Sequence, residues 1–185
     1  VRPQGAARVE AAAVDLRGMC AAGGEGEGMS ILAIDPGPTE CGWVLWDAAR
    51  QRIVLSKITD TQSMPDVVAA GGSAGHVIAI EMIASYGMPV GAEVFETCVW
   101  IGRMQQAAMR PEAVRLVYRK DVKLHLCQSP RAKDANVRQA LLDRIGPQGT
   151  KARPGPTYGV KSHAWAALAV AVTVGDELMA QRRAA

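Results

Sequence analysis

Two carboxylates in this sequence each close a short apolar run. Asp35 ends SILAID and stands before the turn signal Pro36-Gly37-Pro38, while Glu81 ends HVIAIE. Continuous apolar runs of this length read as buried strands, and in open α/β sheets ligands sit at the carboxyl ends of such strands. Two carboxylates brought together there repel each other until a divalent cation neutralises them. Hard oxygen donors in small number, with room left for water and phosphate, suit magnesium, with manganese as a second choice. Taken alone, Asp35 reads as a turn starter and Glu81 as a solvated strand end; their matched positions favour a shared site. His163 is the third candidate, one residue after Ser162, the expected N-cap of a long C-terminal helix. The positive end of a helix favours neutral imidazole, the form that binds a metal or accepts a proton; the alternative is a polar helix-start residue facing water. His76 and His125 have no comparable setting.

Strand-end carboxylates meet only if their strands are neighbours, and the order of elements makes them so. Ser30 to Pro36 and the aromatic run Cys41 to Asp47 flank a tight turn, and Arg52 to Ile58 follows a polar stretch, which predicts a three-stranded antiparallel meander. Met64 to Gly72 reads as a short helix after Ser63, with Pro65 in its first turn. His76 to Glu81 is a fourth strand of the buried parallel kind. Gly91 to Arg110 carries two apolar rows, Val94, Cys98 and Ile101 beside Phe95, Val99 and Met104, hence a wide helical face, with Pro111 as its stop. Ala113 to Tyr118 is a fifth strand. A basic stretch then leads to a helix from Ala132 to Arg144, a Gly/Pro-rich loop from Pro147 to Gly159, and the C-terminal helix. The fold class is α/β, a mixed sheet with helices on both faces. A right-handed crossover lays the fourth strand parallel to the first, so Asp35 and Glu81 end side by side.

The 185 residues, 49% of them hydrophobic and 21% charged, suffice for one domain with a core and exclude a disordered or collagenous chain. The longest apolar stretch, Ala164 to Val174, stops at Gly175-Asp176-Glu177, short of the roughly 18–20 residues that span a bilayer, so no membrane partner is expected. Cys20, Cys41, Cys98 and Cys127 form no CxxC pair, which points away from a zinc ribbon or disulfide scaffold and toward a reducing, cytoplasmic location. Residues 1–28 are Ala/Gly-rich and without period, and are expected to be a disordered or non-native extension; Met29 stands directly before the first strand, as a mis-assigned upstream start would leave it. The alternative is a basic arm that helps hold a polyanion. Three arginines face four acids in that tail, so the chain's net charge of +3 becomes +4 over residues 29–185.

Basic residues bracket the expected site. Arg119, Lys120, Lys123, Arg131, Lys133 and Arg138 lie between the fifth strand and the next helix, and Lys151, Arg153 and Lys161 punctuate the final loop. They read either as a solvated face or as phosphate contacts whose binding would be salt-sensitive. Tyr86, in the loop after Glu81, either stacks on an unpaired base or packs on its own domain.

The motifs ILAIDPGPTECGWVLW, VIAIE followed by IGRMQQAA, DVKLHL with RAKDANVRQAL, and KSHAWAALAVAVT, in this order, resemble the RuvC-type Holliday-junction resolvases of the ribonuclease H-like superfamily, nearest in pattern to their shorter phage-borne members. The resemblance covers nearly all of residues 30–175. It implies a five-stranded sheet in order 3-2-1-4-5, residues 29–185 as the nuclease domain, and a homodimer that nicks two strands of a four-way or branched DNA junction with magnesium, in a bacterial or phage-infected cell. It also implies Asp35, Glu81 and His163 as catalytic and metal-binding residues and Tyr86 as the aromatic that contacts DNA, while the bracketing of the site by basic clusters favours Lys123, Arg131, Lys133, Arg138 and Lys161 as further DNA contacts. One position departs: Ala166 stands where many members carry a final aspartate, so either His163 suffices as third ligand or Asp134 supplies the missing carboxylate. Two other classes compete. AIDPGPTECGWV also resembles the phosphate-binding hairpin of actin-like and sugar-kinase-like domains, against which the short chain argues, and Ala166 leaves open a catalytically silent junction-binding protein.

Overall fold

The computed structural model describes residues 29–185, and the expectations for residues 1–28 and Cys20 lie outside the described residues. Strands β1 (Ser30–Asp35), β2 (Glu40–Asp47) and β3 (Arg52–Asp60) form the antiparallel meander; β4 (Val77–Met82) runs parallel to β1, and β5 (Arg115–Tyr118) parallel to β4. The sheet order is β3-β2-β1-β4-β5, as expected. Helices are α1 (Met64–Ser73), α2 (Ala92–Ala107), α3 (Arg119–Cys127), α4 (Asp134–Ile145) and α5 (Ala164–Ala184).

The apolar strands are continuous because both of their faces are covered. Successive side chains alternate across the sheet: Ile31, Ala33, Val44, Trp46 and Ala79 join a core with α5, while Leu32, Ile34, Trp43, Leu45 and Ile80 join a second core with α1 and α2. From Ala167 to Val174 every residue of α5 is buried. Small side chains let that helix press on the sheet while α3 and α4 cover it from outside, which is why its apolar residues show no single stripe. Asp176 of α5 ties these layers together. Its carboxylate accepts from Arg144 at 2.6 Å and contacts His125 Nε2 at 2.7 Å. Burial works to raise the Asp176 pKa, but the hydrogen bonds from Arg144 and His125 prevail and hold it low.

Five local expectations are corrected. β3 runs two residues further, to Asp60, whose carboxylate accepts from Ser63 and starts a short 3-10 turn over Thr61–Ser63. α2 ends at Ala107 because Ala108 is already extended and buried; Pro111 opens a separate 3-10 turn, Pro111–Ala113, which delays β5 to Arg115. The basic stretch after β5 is itself a helix, α3, with Val122 and Leu126 one turn apart against the core and Gln128 in the left-handed region as its stop. The next helix begins at Asp134 rather than Ala132. Among the described residues no helix is long and apolar enough to cross a membrane.

Candidate active site

Parallel pairing of β1 with β4 runs to Ile34 opposite Ile80, so Asp35 and Glu81 follow next at the carboxyl ends of adjacent strands. Their side chains are 17% and 12% exposed. His163 joins them from α5: its Nδ1 lies 3.0 Å from Asp35 Oδ2, and its Nε2 lies 4.0 Å from Glu40 Oε1. What admits His163 is Gly42, which faces Asp35 across the β1–β2 pair. A Cβ at Gly42 would collide with the His163 carbonyl carbon and the Ala164 nitrogen, so only glycine lets the start of α5 settle onto the hairpin. We expect Gly42→Ala to lower stability by about 1–3 kcal/mol, the usual cost of forcing backbones apart, read by thermal melting; an unchanged melt would show that α5 is not seated on this residue.

Ser162 does not cap the helix. It sits in the left-handed region at φ 40°, and His163 takes the N-cap position without a side-chain cap bond. The backbone there bends to deliver the imidazole to Asp35, and Ser162 Oγ has no role in that turn.

Asp134, the first residue of α4, reaches the same place through cations. Arg119, the first residue of α3, donates to Glu81 Oε2 at 3.2 Å and lies 3.0 Å from Asp134 Oδ1, which Lys123 Nζ also approaches to 3.3 Å. Asp35, Glu81, Arg119, Asp134, Arg138 and His163 line one open cavity of about 580 Å³, with Trp165 and Ala166 on its α5 wall. Tyr86, Arg131, Lys133 and Lys161 are exposed and do not line it. Tyr86 stands in a turn with Gly87, both at positive φ, and is 57% exposed.

Burial pushes Glu81 up to about 7; the charge of Asp35 adds to this, and Arg119 counters only part. Burial likewise raises Asp35, against His163 and Arg119. Asp134 goes the other way: burial opposes it, but Arg119 and Lys123 hold its pKa below the usual carboxylate range. Its side chain is 71% exposed, so this pairing is screened by solvent. Among the described residues no three acidic, histidine or cysteine side chains already converge on a point fit for a metal ion. The donor chemistry nevertheless fits a hard divalent cation. Two largely buried carboxylates, both with pKa raised by burial and Glu81 raised further by the charge of Asp35, stand at the rim of an open cavity; a neighbouring imidazole adds a third donor, and one guanidinium leaves their charge only partly balanced.

Sequence reasoning missed the pairing of Arg119 with Glu81, and missed Gly42 and Trp165. Arg119 had a signal: it directly follows β5, whose Val117 pairs with Glu81, so the start of α3 must emerge beside that carboxylate. Gly42 had one too, as a glycine inside an otherwise apolar strand.

No protein-family model and no curated protein matches the sequence. Solved structures do match in three dimensions. RuvC of Thermus thermophilus superposes with a TM-score of 0.60 at 20% identity, over 82% of this chain and 97% of that one. The same protein in complex with a Holliday junction substrate gives 0.61 at 20% identity, over 82% and 96%. The yeast mitochondrial Holliday junction resolvase Ydc2 gives 0.51 at 11% identity, over 95% and 97%. The fold is that of the RuvC-type, ribonuclease H-like proteins.

Proposed function

We propose that residues 29–185 are the nuclease domain of a metal-dependent endodeoxyribonuclease that resolves four-way or branched DNA junctions by paired phosphodiester hydrolysis. The observation that carries this reading is that Asp35 and Glu81, at the carboxyl ends of the adjacent strands β1 and β4, line one open cavity with His163, whose Nδ1 lies against Asp35. It gains support from a fold shared with Holliday junction resolvases, one of them solved with junction substrate.

Asp35, Glu81 and His163 would hold the cation, magnesium or manganese. When bound, it supplies an activated water and stabilises the leaving 3′ oxygen. The chain's own residues do the positioning. Asp35 holds the His163 ring by its Nδ1. Glu81, which burial raises to a pKa of about 7 without a cation, would stay ionised beside one, and Arg119 fixes its Oε2. The open cavity leaves room for a phosphate between these groups. The test is cleavage of synthetic four-way, flap and linear DNA with magnesium, with manganese and with chelator. Paired nicks in the four-way junction only with a divalent cation are expected. Junction binding without cleavage under any cation would leave a silent binder, and nucleotide affinity would favour the kinase-like alternative.

Geometry favours His163 over Asp134 as the third ligand, because His163 contacts Asp35 whereas Asp134 is engaged by Arg119 and Lys123. At saturating magnesium, His163→Ala is expected to lose far more cleavage than Asp134→Ala. A dead Asp134→Ala beside a nearly active His163→Ala would reverse the assignment.

Symmetric cutting calls for a homodimer, and α2 offers a face for it. Of its two apolar rows, Ile101 and Met104 turn into the core and Val94 and Cys98 are half-buried, while Phe95 and Val99 remain 62% and 55% exposed. Open space at Gly102 continues that outer face by one turn. Sedimentation at micromolar concentration should give a dimer that Phe95→Glu with Val99→Glu converts to a monomer. A wild-type monomer with and without DNA would refute it.

A further inference from the structure

We infer that Arg138, stacked on Trp165 and braced by Gln148, is a preformed phosphate clamp that positions the DNA backbone beside Asp35 and Glu81. The clamp rests on the nuclease reading above and extends it to a specific backbone contact. The Arg138 guanidinium carbon lies 4.6 Å from the centroid of the Trp165 ring, and one of its nitrogens donates to Gln148 Oε1 at 3.0 Å. Gln148 Nε2 in turn donates to the Val160 carbonyl at 3.0 Å, which anchors the brace to the loop that leads into α5. Arg138 and Trp165 both line the cavity that holds the carboxylates.

The partners of the three cations distinguish their roles. Arg119 and Lys123 face acids, and their charge is largely cancelled by Glu81 and Asp134. Arg138 is held by an indole face and a neutral amide, and among the described residues no carboxylate pairs with it. Such partners orient a guanidinium without neutralising it. Stacking consumes none of its five donors and Gln148 takes one, so donors remain for a phosphate in the planar arrangement that arginine presents. Preorganisation also removes the cost of ordering a long side chain on binding. The site suits such a charge, because a cavity lined by Asp35, Glu81 and Asp134 offers a DNA backbone few uncompensated cations of its own. Trp165 and Gln148 act through Arg138 and are positioning residues.

The test measures affinity of the full chain for a four-way junction as a function of salt, by fluorescence anisotropy in chelator. Arg138→Ala should lower affinity roughly tenfold and reduce the slope of log K against log salt by about 0.9, one phosphate contact. Trp165→Leu and Gln148→Ala should weaken binding at every salt with the slope unchanged, since no charge is removed, and Trp165→Phe should restore it. A merely structural role for Arg138 would move melting temperature and leave the slope where it was. An unchanged slope and affinity in Arg138→Ala overturns the clamp alone. Wild-type chain that binds no junction at any salt overturns the nuclease reading and the clamp with it.

Discussion

Replacing Asp35 with asparagine should abolish junction cleavage while leaving the fold and junction binding intact. The carboxylate ends β1 on the strand next to that of Glu81 and is bonded to His163, so a single substitution removes one of the proposed metal donors and the acceptor that orients the imidazole. Asparagine is isosteric, and the residues that bury β1, Ile31 through Ile34, stay as they are. Catalysis that rests on electrostatic positioning typically falls by about 10³-fold when one positioned group is lost, and Asp35 is expected to reach at least that. Junction cleavage in magnesium, with melting and anisotropy as controls, decides it. A variant that cuts at the wild-type rate would remove Asp35 from the mechanism.

Glu81→Gln should also end cleavage, and at alkaline pH it should make the metal-free protein more stable. The folded Glu81 has a pKa of about 7 against 4.5 for the free side chain, with burial as the main cause. Between those values the folded protein holds a proton that the unfolded chain has released. Stability therefore falls as pH rises from 4.5 to 7, and the whole penalty is present above 7. It amounts to about 3 kcal/mol, with little solvent screening because the side chain is 12% exposed. Glutamine mimics the protonated form and escapes the penalty. In chelator at pH 8 the variant should melt roughly 5–10 °C higher than wild type, and the two should converge by pH 4. Magnesium should raise the melting temperature of wild type and have little effect on the variant. Equal melting across this range would mean that Glu81 ionises without cost, and that the site is more hydrated than its burial indicates.

Much of this site was legible in local pattern. Short β-branched runs such as ILAI and VIAI, bounded by Pro/Gly turn signals, read as strands covered on both faces, and a carboxylate closing such a strand lies at the sheet rim. Alternation of meander, helix and strand, with one handedness for crossovers, then makes β1 and β4 neighbours and brings Asp35 to Glu81. His163 was legible as a helix-start residue and as the third candidate for the shared site; its direct contact with Asp35 is a result of the tertiary structure. The cap assigned to Ser162 was wrong because capping propensity is a local average, and the seat of α5 on Gly42 decided the turn instead.

The sequence by itself determined the antiparallel meander, the parallel placement of β4 beside β1 and the two carboxylates at their ends, because these follow from short-range periodicity and from the handedness of crossovers, while the place of β5 came with the family resemblance. Tertiary structure alone decided how the charges are used. Arg119, Lys123 and Arg138 are near neighbours in one basic stretch, indistinguishable by composition, yet the first two face acids and the third faces an indole and an amide. It likewise decided that α2 turns Ile101 inward and leaves Phe95 outside. The physical reason is that a long side chain's partner is set by whatever remote backbone arrives within a few ångströms of its tip, and no pattern within one segment encodes that arrival.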